Sequence, residues 1–236
     1  YVDLRGLGNI HLKTQRSNIA IFDTFKTRKD KFTGEAKRQR GIIAHLATEQ
    51  SPELRTRTSI AHAIAKKHDI LWQNIYSGIF RDLEEILIPS GIVRIGGRLP
   101  LRRGPRALQL EGVPFYELTE GGLLVASCID ELGANRMKIL ESYISSIPTG
   151  DQNQRVMCMG ILLLIKMTPS FVSKIINEYI YAYSRGLIEN LTPMDVKKLR
   201  YVISKEITVE RELVGAFDIL QEDQKETIRN FFKVIS

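Results

Sequence analysis

The stretch from Leu71 to Thr119 constrains this chain most, because it predicts several elements in a fixed order. An amphipathic helix over 71–87 is followed by a short strand over 92–95, a long loop, a second strand over 113–118 and a new helix that begins at Thr119. From the start of the strand to Glu111 there are five arginines and no acidic residue: Arg94, Arg98, Arg102, Arg103 and Arg106. Fixed positive charges on a hairpin can bind the phosphate backbone of a nucleic acid while the neighbouring helix lies in a groove. The order therefore predicts a nucleic-acid-binding unit.

The helix over 71–87 has two faces. Apolar residues recur at spacings of three and four and are expected to face the core: Ile75, Ile79, Leu83, Ile86 and Leu87. Polar residues fall on the opposite face: Gln73, Asn74, Ser77 and Arg81. Asp82, Glu84 and Glu85 are interpreted as part of a solvated surface. Trp72 and Tyr76 are one turn apart, and packing as core residues with polar tips is favoured over a base-stacking platform.

Helices are predicted on both sides of this stretch. Two precede it, over 35–49 and 58–68, and Thr119 is an expected N-cap for a helix over 123–132. Beyond Gly133 the pattern is helical throughout: near 135–146, 152–166, 169–183, 193–205, 209–220 and 221–234. The apolar run MGILLLIKM is expected to be the core helix of a bundle, with an adaptable partner surface as the alternative.

The first 35 residues are basic and weakly periodic. Partial alternation indicates a short strand over 18–25. The charge-dense segment TRKDKFTGEAKRQR is predicted to be a flexible basic arm, with the basic start of the first helix as the alternative. The predicted domains are a basic amino-terminal arm over 1–35, a nucleic-acid-binding domain over 36–132 and a helical domain over 133–236. The predicted fold class is mainly α with a small β-hairpin wing, followed by a helical bundle.

Positive charge is concentrated in the first half of the chain. The net charge is +7 over 236 residues. Residues 1–106 contain 20 Lys and Arg against 10 Asp and Glu, whereas the remaining residues contain 14 against 17. An excess that served only solubility would be spread over both halves, so the asymmetry favours a nucleic-acid contact surface in the first.

Residues 37–132 resemble winged helix-turn-helix regulators of the MarR or PadR kind. The segment SIAHAIAKKHDILWQNIYSGIFRDLEEILIPSGIVRI is similar to their helix–turn–helix–strand, and GVPFYELTEGGLLVA is similar to their returning wing strand and next helix. The Thr-x-x-Gly step of the second segment is Thr119 to Gly122. Two departures are visible: IPSGIV adds residues between helix and strand, and the wing is longer. The resemblance implies a DNA-binding transcription regulator that carries no cofactor and often forms a dimer.

The resemblance also implies which residues contact DNA. The helix over 71–87 would enter the major groove. There Gln73 and Asn74 would hydrogen-bond to adenine, whereas Ser77 and Arg81 would contact a phosphate or a base edge. The wing over 94–111 would contact the backbone or a narrow minor groove through Arg94, Arg98, Arg102, Arg103 and Arg106. Lys37, Arg38 and Arg40 are candidates for the flanking backbone, with a solvated helix start as an equal alternative.

Other classes of protein find little support in the sequence. It has no glycine-rich nucleotide motif, no nucleophile elbow and no metalloprotease motif, so an enzyme is not expected. The four histidines lack metal-ligand spacing, and Cys128 and Cys158 are expected to be buried free thiols. No run reaches the ~20 apolar residues that span a bilayer. We therefore expect a cytoplasmic protein, associated with the nucleoid if the source is prokaryotic.

The expected partners are double-stranded DNA and a second copy of the chain, bound through the carboxy-terminal helices. Two alternatives remain open: an RNA- or ribosome-associated basic adaptor, and a winged helix used for protein–protein assembly. The sequence implies no particular effector.

Overall fold

The computed structural model describes residues 19–100 and 111–235, which divide into two compact units. The first unit contains the described residues up to Leu140 together with Ser184–Gly186, and the second contains Glu141–Tyr183 and the residues from Leu187 onward. The described residues form ten α-helices and two antiparallel sheets of two strands each. The predicted class, mainly α with a small β component, is confirmed at this level.

The first unit contains four helices and both sheets. Its strands are β1 (Thr24–Phe25), β2 (Arg28–Phe32), β3 (Val93–Leu99) and β4 (Val113–Leu118), and its helices are α1 (Gly34–Thr48), α2 (Arg57–His68), α3 (Gln73–Arg81) and α4 (Glu120–Ala126). A π-helical turn, Asp82–Leu87, continues α3, and short 3-10 turns lie at Pro52–Arg55 and Asp130–Leu132.

The core of the first unit is formed by the apolar faces of α1, α2, α3 and α4. Ile79, Leu83 and Leu87 are fully buried, as their spacing predicts, whereas Ile75 and Ile86 are half-buried. Facing side chains come from the other three helices: Ile42, Ile43, Ile60, Ala61, Leu124 and Val125. The predicted α4 is shorter in the structure, because the chain leaves the helix at Ser127 and re-enters a single 3-10 turn.

The β3–β4 hairpin is joined to the helices at both ends. Val93 pairs with Leu118 and Leu99 with Val113, and Thr56, between α1 and α2, forms an antiparallel bridge with Phe115 of β4. Thr119 caps α4 as predicted, since its hydroxyl accepts from the Gly122 amide at 3.0 Å. A Cβ on Gly122 would lie 2.1 Å from the Ile92 carbonyl oxygen, so this position of the Thr-x-x-Gly step has no room for a side chain.

The amino-terminal part of the first unit differs from the predicted flexible arm. Residues 24–32 form the β1–β2 hairpin, in which Thr24 pairs with Phe32 and Phe25 with Arg28. Ile19, Ala20 and Ile21, which precede the hairpin, are buried. These apolar residues and the hydrogen bonds described below hold the segment against α1.

The second unit is helical. Its helices are α5 (Asn135–Ser146, within which the division at Leu140 falls), α6 (Gln152–Met167), α7 (Pro169–Ser184), α8 (Val196–Ile203), α9 (Thr208–Ile219) and α10 (Glu222–Ile235). Asp151 and Asp195 cap α6 and α8 through the amides of Gln154 and Lys198. These helices follow the predicted order, and α8 is shorter than predicted at both ends.

Part of the apolar surface of the second unit remains exposed. The predicted core helix α6 buries Cys158, Ile161 and Ile165 on one face. Its other face presents apolar side chains to solvent: Val156, Met159, Leu163 and Met167. In α9 and α10 no residue is buried. MGILLLIKM therefore belongs to the core on one face only.

Candidate nucleic-acid interface

The turn between α2 and α3 fixes where α3 begins. Asp69 ends α2 in the left-handed conformation with φ 52°, and the Ile70 amide donates to the Ala65 carbonyl. The Trp72 ring then stacks on His62 of α2 with centroids 4.7 Å apart and meets Tyr76 edge-on at 5.6 Å. These ring contacts pack the first turn of α3 against α2.

The outer face of α3 is polar and exposed. Gln73, Asn74, Ser77 and Arg81 all have exposed side chains, as their spacing predicts. Asn74, Ser77 and Arg81 line an open depression of about 400 Å³. Its other lining residues are Ile75, Gly78 and, from α1, Arg38. The depression thus brings together four predicted DNA-contact residues: Asn74, Ser77 and Arg81 of α3 and Arg38 of α1.

Arg38 is fixed by an ion pair beneath this surface. Its Nε donates to Asp82 Oδ2 at 2.8 Å, and the Asp82 side chain is fully buried. Burial raises the pKa of Asp82, and the hydrogen bond and charge of Arg38 oppose that shift. Asp82 is therefore a buried counter-ion rather than the predicted solvated carboxylate. The predicted backbone contact by Arg38 is restricted, because its side chain is only 21 % exposed.

Arg40 cannot serve as the predicted backbone contact, because its side chain is only 2 % exposed. Its guanidinium donates to Glu131 at 2.6 and 3.0 Å and to Asp130 at 3.4 Å. It also donates to the Ile21 carbonyl at 3.4 Å and lies 4.2 Å from the centre of the Phe32 ring. Arg40 is a structural tie between the β1–β2 hairpin, α1 and the turn after α4. Lys37 of α1 is exposed, as expected.

The described wing arginines lie on β3 rather than in the loop. Arg94 Nη2 is 3.1 Å from Glu117 Oε2 on β4, and Arg98 Nη1 is 3.7 Å from Glu111 Oε2 and donates to the Gly112 carbonyl. Both remain substantially exposed, and surface ion pairs of this kind contribute only about 0–1 kcal/mol. Arg94 and Arg98 can therefore exchange these partners for phosphates at small cost. Arg102, Arg103 and Arg106 lie outside the described residues.

A partly buried polar network links β4 to the π-helical turn that continues α3. The Tyr116 hydroxyl donates to Glu84 at 2.9 Å, and Arg57 Nη2 lies 3.3 Å from both groups. The Arg57 guanidinium also stacks 4.1 Å from the centre of the Phe80 ring. Burial raises the pKa of Tyr116, which keeps its hydroxyl a donor. No local sequence pattern distinguishes Arg57, because its partners Glu84 and Tyr116 are distant in sequence.

Neither a candidate metal site nor a candidate membrane-spanning helix occurs in the described part of the chain. Within residues 19–100 and 111–235, no three His, Cys, Asp or Glu side chains are grouped to hold a metal ion. Among the helices of the same residues, none has the length and apolar character needed to cross a membrane. Cys128 and Cys158 are free and buried, as expected.

Comparison of the chain with protein-family models, with curated proteins and with solved structures gave no match.

Proposed function

We propose that this chain binds double-stranded DNA through a winged helix and acts as a transcription regulator. In this proposal α3 lies in the major groove, and the β3–β4 wing lies on the backbone or in the minor groove. The carboxy-terminal helices join two copies.

The observation that carries the proposal is the arrangement of α3. One face of this helix is anchored in the core by Ile79, and the opposite face presents four exposed polar side chains. A helix that reads bases needs both features, a rigid support and a free polar face at its amino-terminal end. Gln73 and Asn74 lie in the first turn of α3, at the end that enters the groove in helix-turn-helix proteins.

The sheet supports the same arrangement. In a winged helix, the segment between the first two helices pairs with the returning wing strand, and the Thr56–Phe115 bridge provides that contact here. The Tyr116–Glu84–Arg57 network then connects the wing to the end of α3. A wing held in this way keeps Arg94 and Arg98 at a fixed position relative to α3.

The second unit supports the proposed dimer. A helix that buries no side chain is marginal in water, because conformational entropy opposes its formation. Neither α9 nor α10 buries a residue, yet both carry large exposed apolar side chains: Val209, Leu213, Val214, Ile219, Phe231, Phe232, Val234 and Ile235. A two-fold partner that covers these helices would supply the missing burial and would match a two-fold operator.

The proposal is tested by binding to duplex DNA, single-stranded DNA and structured RNA over a salt series. We expect duplex DNA to be preferred, with a steep dependence of affinity on salt. Equal or tighter binding to RNA would favour the ribosome-associated alternative. Binding to none of the three would favour protein–protein assembly.

The contribution of α3 is tested by replacing three of its exposed side chains together. Asn74→Ala/Ser77→Ala/Arg81→Ala should weaken duplex binding about tenfold or more, since a good base or phosphate contact contributes ~1–3 kcal/mol. A matched control, Asn153→Ala/Ser170→Ala/Arg200→Ala, removes the same three residue types from exposed positions of the second unit. The control should bind as the unmodified protein does.

Gln73→Ala is expected to act differently from the triple replacement. Because Gln73 is assigned to a base edge, its loss should relax sequence preference in a selection from random duplexes more than it lowers affinity. An unchanged preference would remove Gln73 from the set of base contacts.

A further inference from the structure

The β1–β2 hairpin carries the densest uncompensated positive charge in the described part of the first unit. Residues 26–31 have the sequence KTRKDK, with four cations, one acid and every side chain exposed. None of the four cations makes an ion pair with another residue that the structure describes; they are Lys26, Arg28, Lys29 and Lys31. Arg38, Arg40 and Arg94 of the same unit are all paired with carboxylates.

The base of the hairpin is fixed to α1 by two buried polar side chains. Gln39 Oε1 accepts from the Ala20 amide at 2.8 Å in the interior. Arg40 donates to the Ile21 carbonyl and stacks on Phe32, the last residue of β2. The backbone that carries the hairpin cations is therefore anchored at its base before any ligand binds, which lowers the entropy lost on binding.

The hairpin is connected to the α3 surface through α1. β2 leads directly into α1 through its N-cap Thr33, and Arg38 in the second turn of α1 lines the α3 depression. With a rise of 1.5 Å per helical residue and about 3.3 Å per strand residue, the tip of the hairpin at Lys26 lies at most ~30 Å from Arg38. That distance is shorter than one turn of duplex DNA, about 34 Å.

We propose that the β1–β2 hairpin is a second backbone-binding wing, whose four cations contact phosphates of the same duplex that α3 reads. This proposal rests on the proposed DNA binding and deepens it. Exposed Lys and Arg side chains on phosphates release counter-ions and discriminate little between sequences. The hairpin thus adds affinity and orientation, and base selection stays with α3.

The test compares three variants of the full chain with the unmodified protein. Lys26→Ala/Arg28→Ala/Lys29→Ala/Lys31→Ala removes the hairpin charge. A matched control, Lys166→Ala/Lys197→Ala/Arg200→Ala/Lys205→Ala, removes four exposed cations from the second unit and gives the same net charge. Lys26→Arg/Lys29→Arg/Lys31→Arg keeps the charge of the hairpin.

Affinity for duplex DNA is measured from about 50 to 200 mM salt. The slope of log K against log salt should become shallower by ~0.9 for each phosphate contact removed, with affinity lowered about tenfold or more at low salt. The control and the Lys→Arg variant should keep the original slope. Circular dichroism and thermal unfolding of the hairpin variant should be unchanged, since the replaced side chains are exposed.

Each contrary outcome has a distinct meaning. An unchanged slope in the hairpin variant, or an equal loss in the control, overturns the second wing and leaves DNA binding intact. Loss of binding in the hairpin variant but not in Asn74→Ala/Ser77→Ala/Arg81→Ala overturns the role of α3 and leaves the hairpin assignment standing. Absence of duplex binding by the unmodified protein overturns both proposals.

Discussion

Arg38 reaches Asp82 by passing directly over Gly78. The guanidinium Nε lies 2.8 Å from Asp82 Oδ2, and a Cβ built on Gly78 would lie only 2.7 Å from that same Nε. The absence of a side chain at position 78 thus allows α1 and the π-helical turn after α3 to share an ion pair whose carboxylate is fully buried. The same guanidinium borders the depression on α3, so the pair supports the proposed DNA-binding surface from below.

Gly78→Ala should therefore destabilise the protein, although alanine is ordinarily favoured over glycine inside a helix. The added methyl displaces Arg38 and leaves the buried Asp82 without its partner, which we expect to cost about 1–3 kcal/mol. Gly160→Ala in α6 is the control, because nothing lies within 4 Å of its built Cβ. It should gain about 0.5–1 kcal/mol. Urea unfolding of both variants measures the contrast, and a stabilised Gly78→Ala would show that Arg38 moves aside freely.

Replacing Arg40 should destabilise the protein more at neutral pH than in acid. Arg40→Ala removes the partner of Glu131, and we expect a loss of about 1–3 kcal/mol at neutral pH. Although burial opposes the shift, the hydrogen bond and charge of Arg40 lower the pKa of Glu131. A carboxylate with a lowered folded-state pKa contributes stability above its unfolded-state pKa, and this contribution is lost as pH falls through the folded-state value.

The difference in unfolding free energy between the unmodified protein and Arg40→Ala should therefore shrink as pH is lowered from about 7 to about 3. The raised pKa of Asp82 acts in the opposite direction but is common to both proteins, so it largely cancels. Arg94→Ala is the matched control, since its pair with Glu117 is exposed and should contribute under about 1 kcal/mol. A pH-independent difference would mean that Arg40 acts through packing alone.

The sequence predicted those features that depend on neighbours along the chain. Helical spacing identified the buried Ile79 and the exposed Asn74, and the Thr119 cap follows from a four-residue motif. Such features are determined within one or two turns, where side-chain geometry is fixed by the backbone.

The features that were missed depend on pairs distant in sequence. Arg38 and Asp82 are 44 residues apart, and Arg40 and Glu131 are 91 apart. Nothing in the local pattern of α1 distinguishes these arginines from the exposed Lys37. The β1–β2 hairpin was missed for a related reason: β2 does not alternate apolar and polar residues, and its position depends on Gln39 and Arg40 of the following helix.

Both cysteines should be unreactive in the folded protein. Burial raises the pKa of Cys128 to about 12 and also raises that of Cys158, so neither forms appreciable thiolate at neutral pH. A thiol reagent should therefore modify neither residue in native buffer and both in denaturant. Rapid modification of Cys158 alone would show that the second unit opens around α6, and a Cys158→Ser variant would identify the reacting thiol.

The proposed dimer predicts that a charge on α10 produces a monomer. Phe231 is 56 % exposed, and burial of an aromatic side chain at a two-fold interface contributes about 1.5–3 kcal/mol per copy. Phe231→Glu would place a carboxylate there on each chain, so the variant should sediment as a monomer at concentrations where the unmodified protein is a dimer. Leu163→Glu, at a 62 % exposed position of α6, is the matched control and should remain dimeric. Dissociation by Leu163→Glu alone would move the interface to the exposed face of α6, whereas a monomeric unmodified protein would contradict the dimer itself.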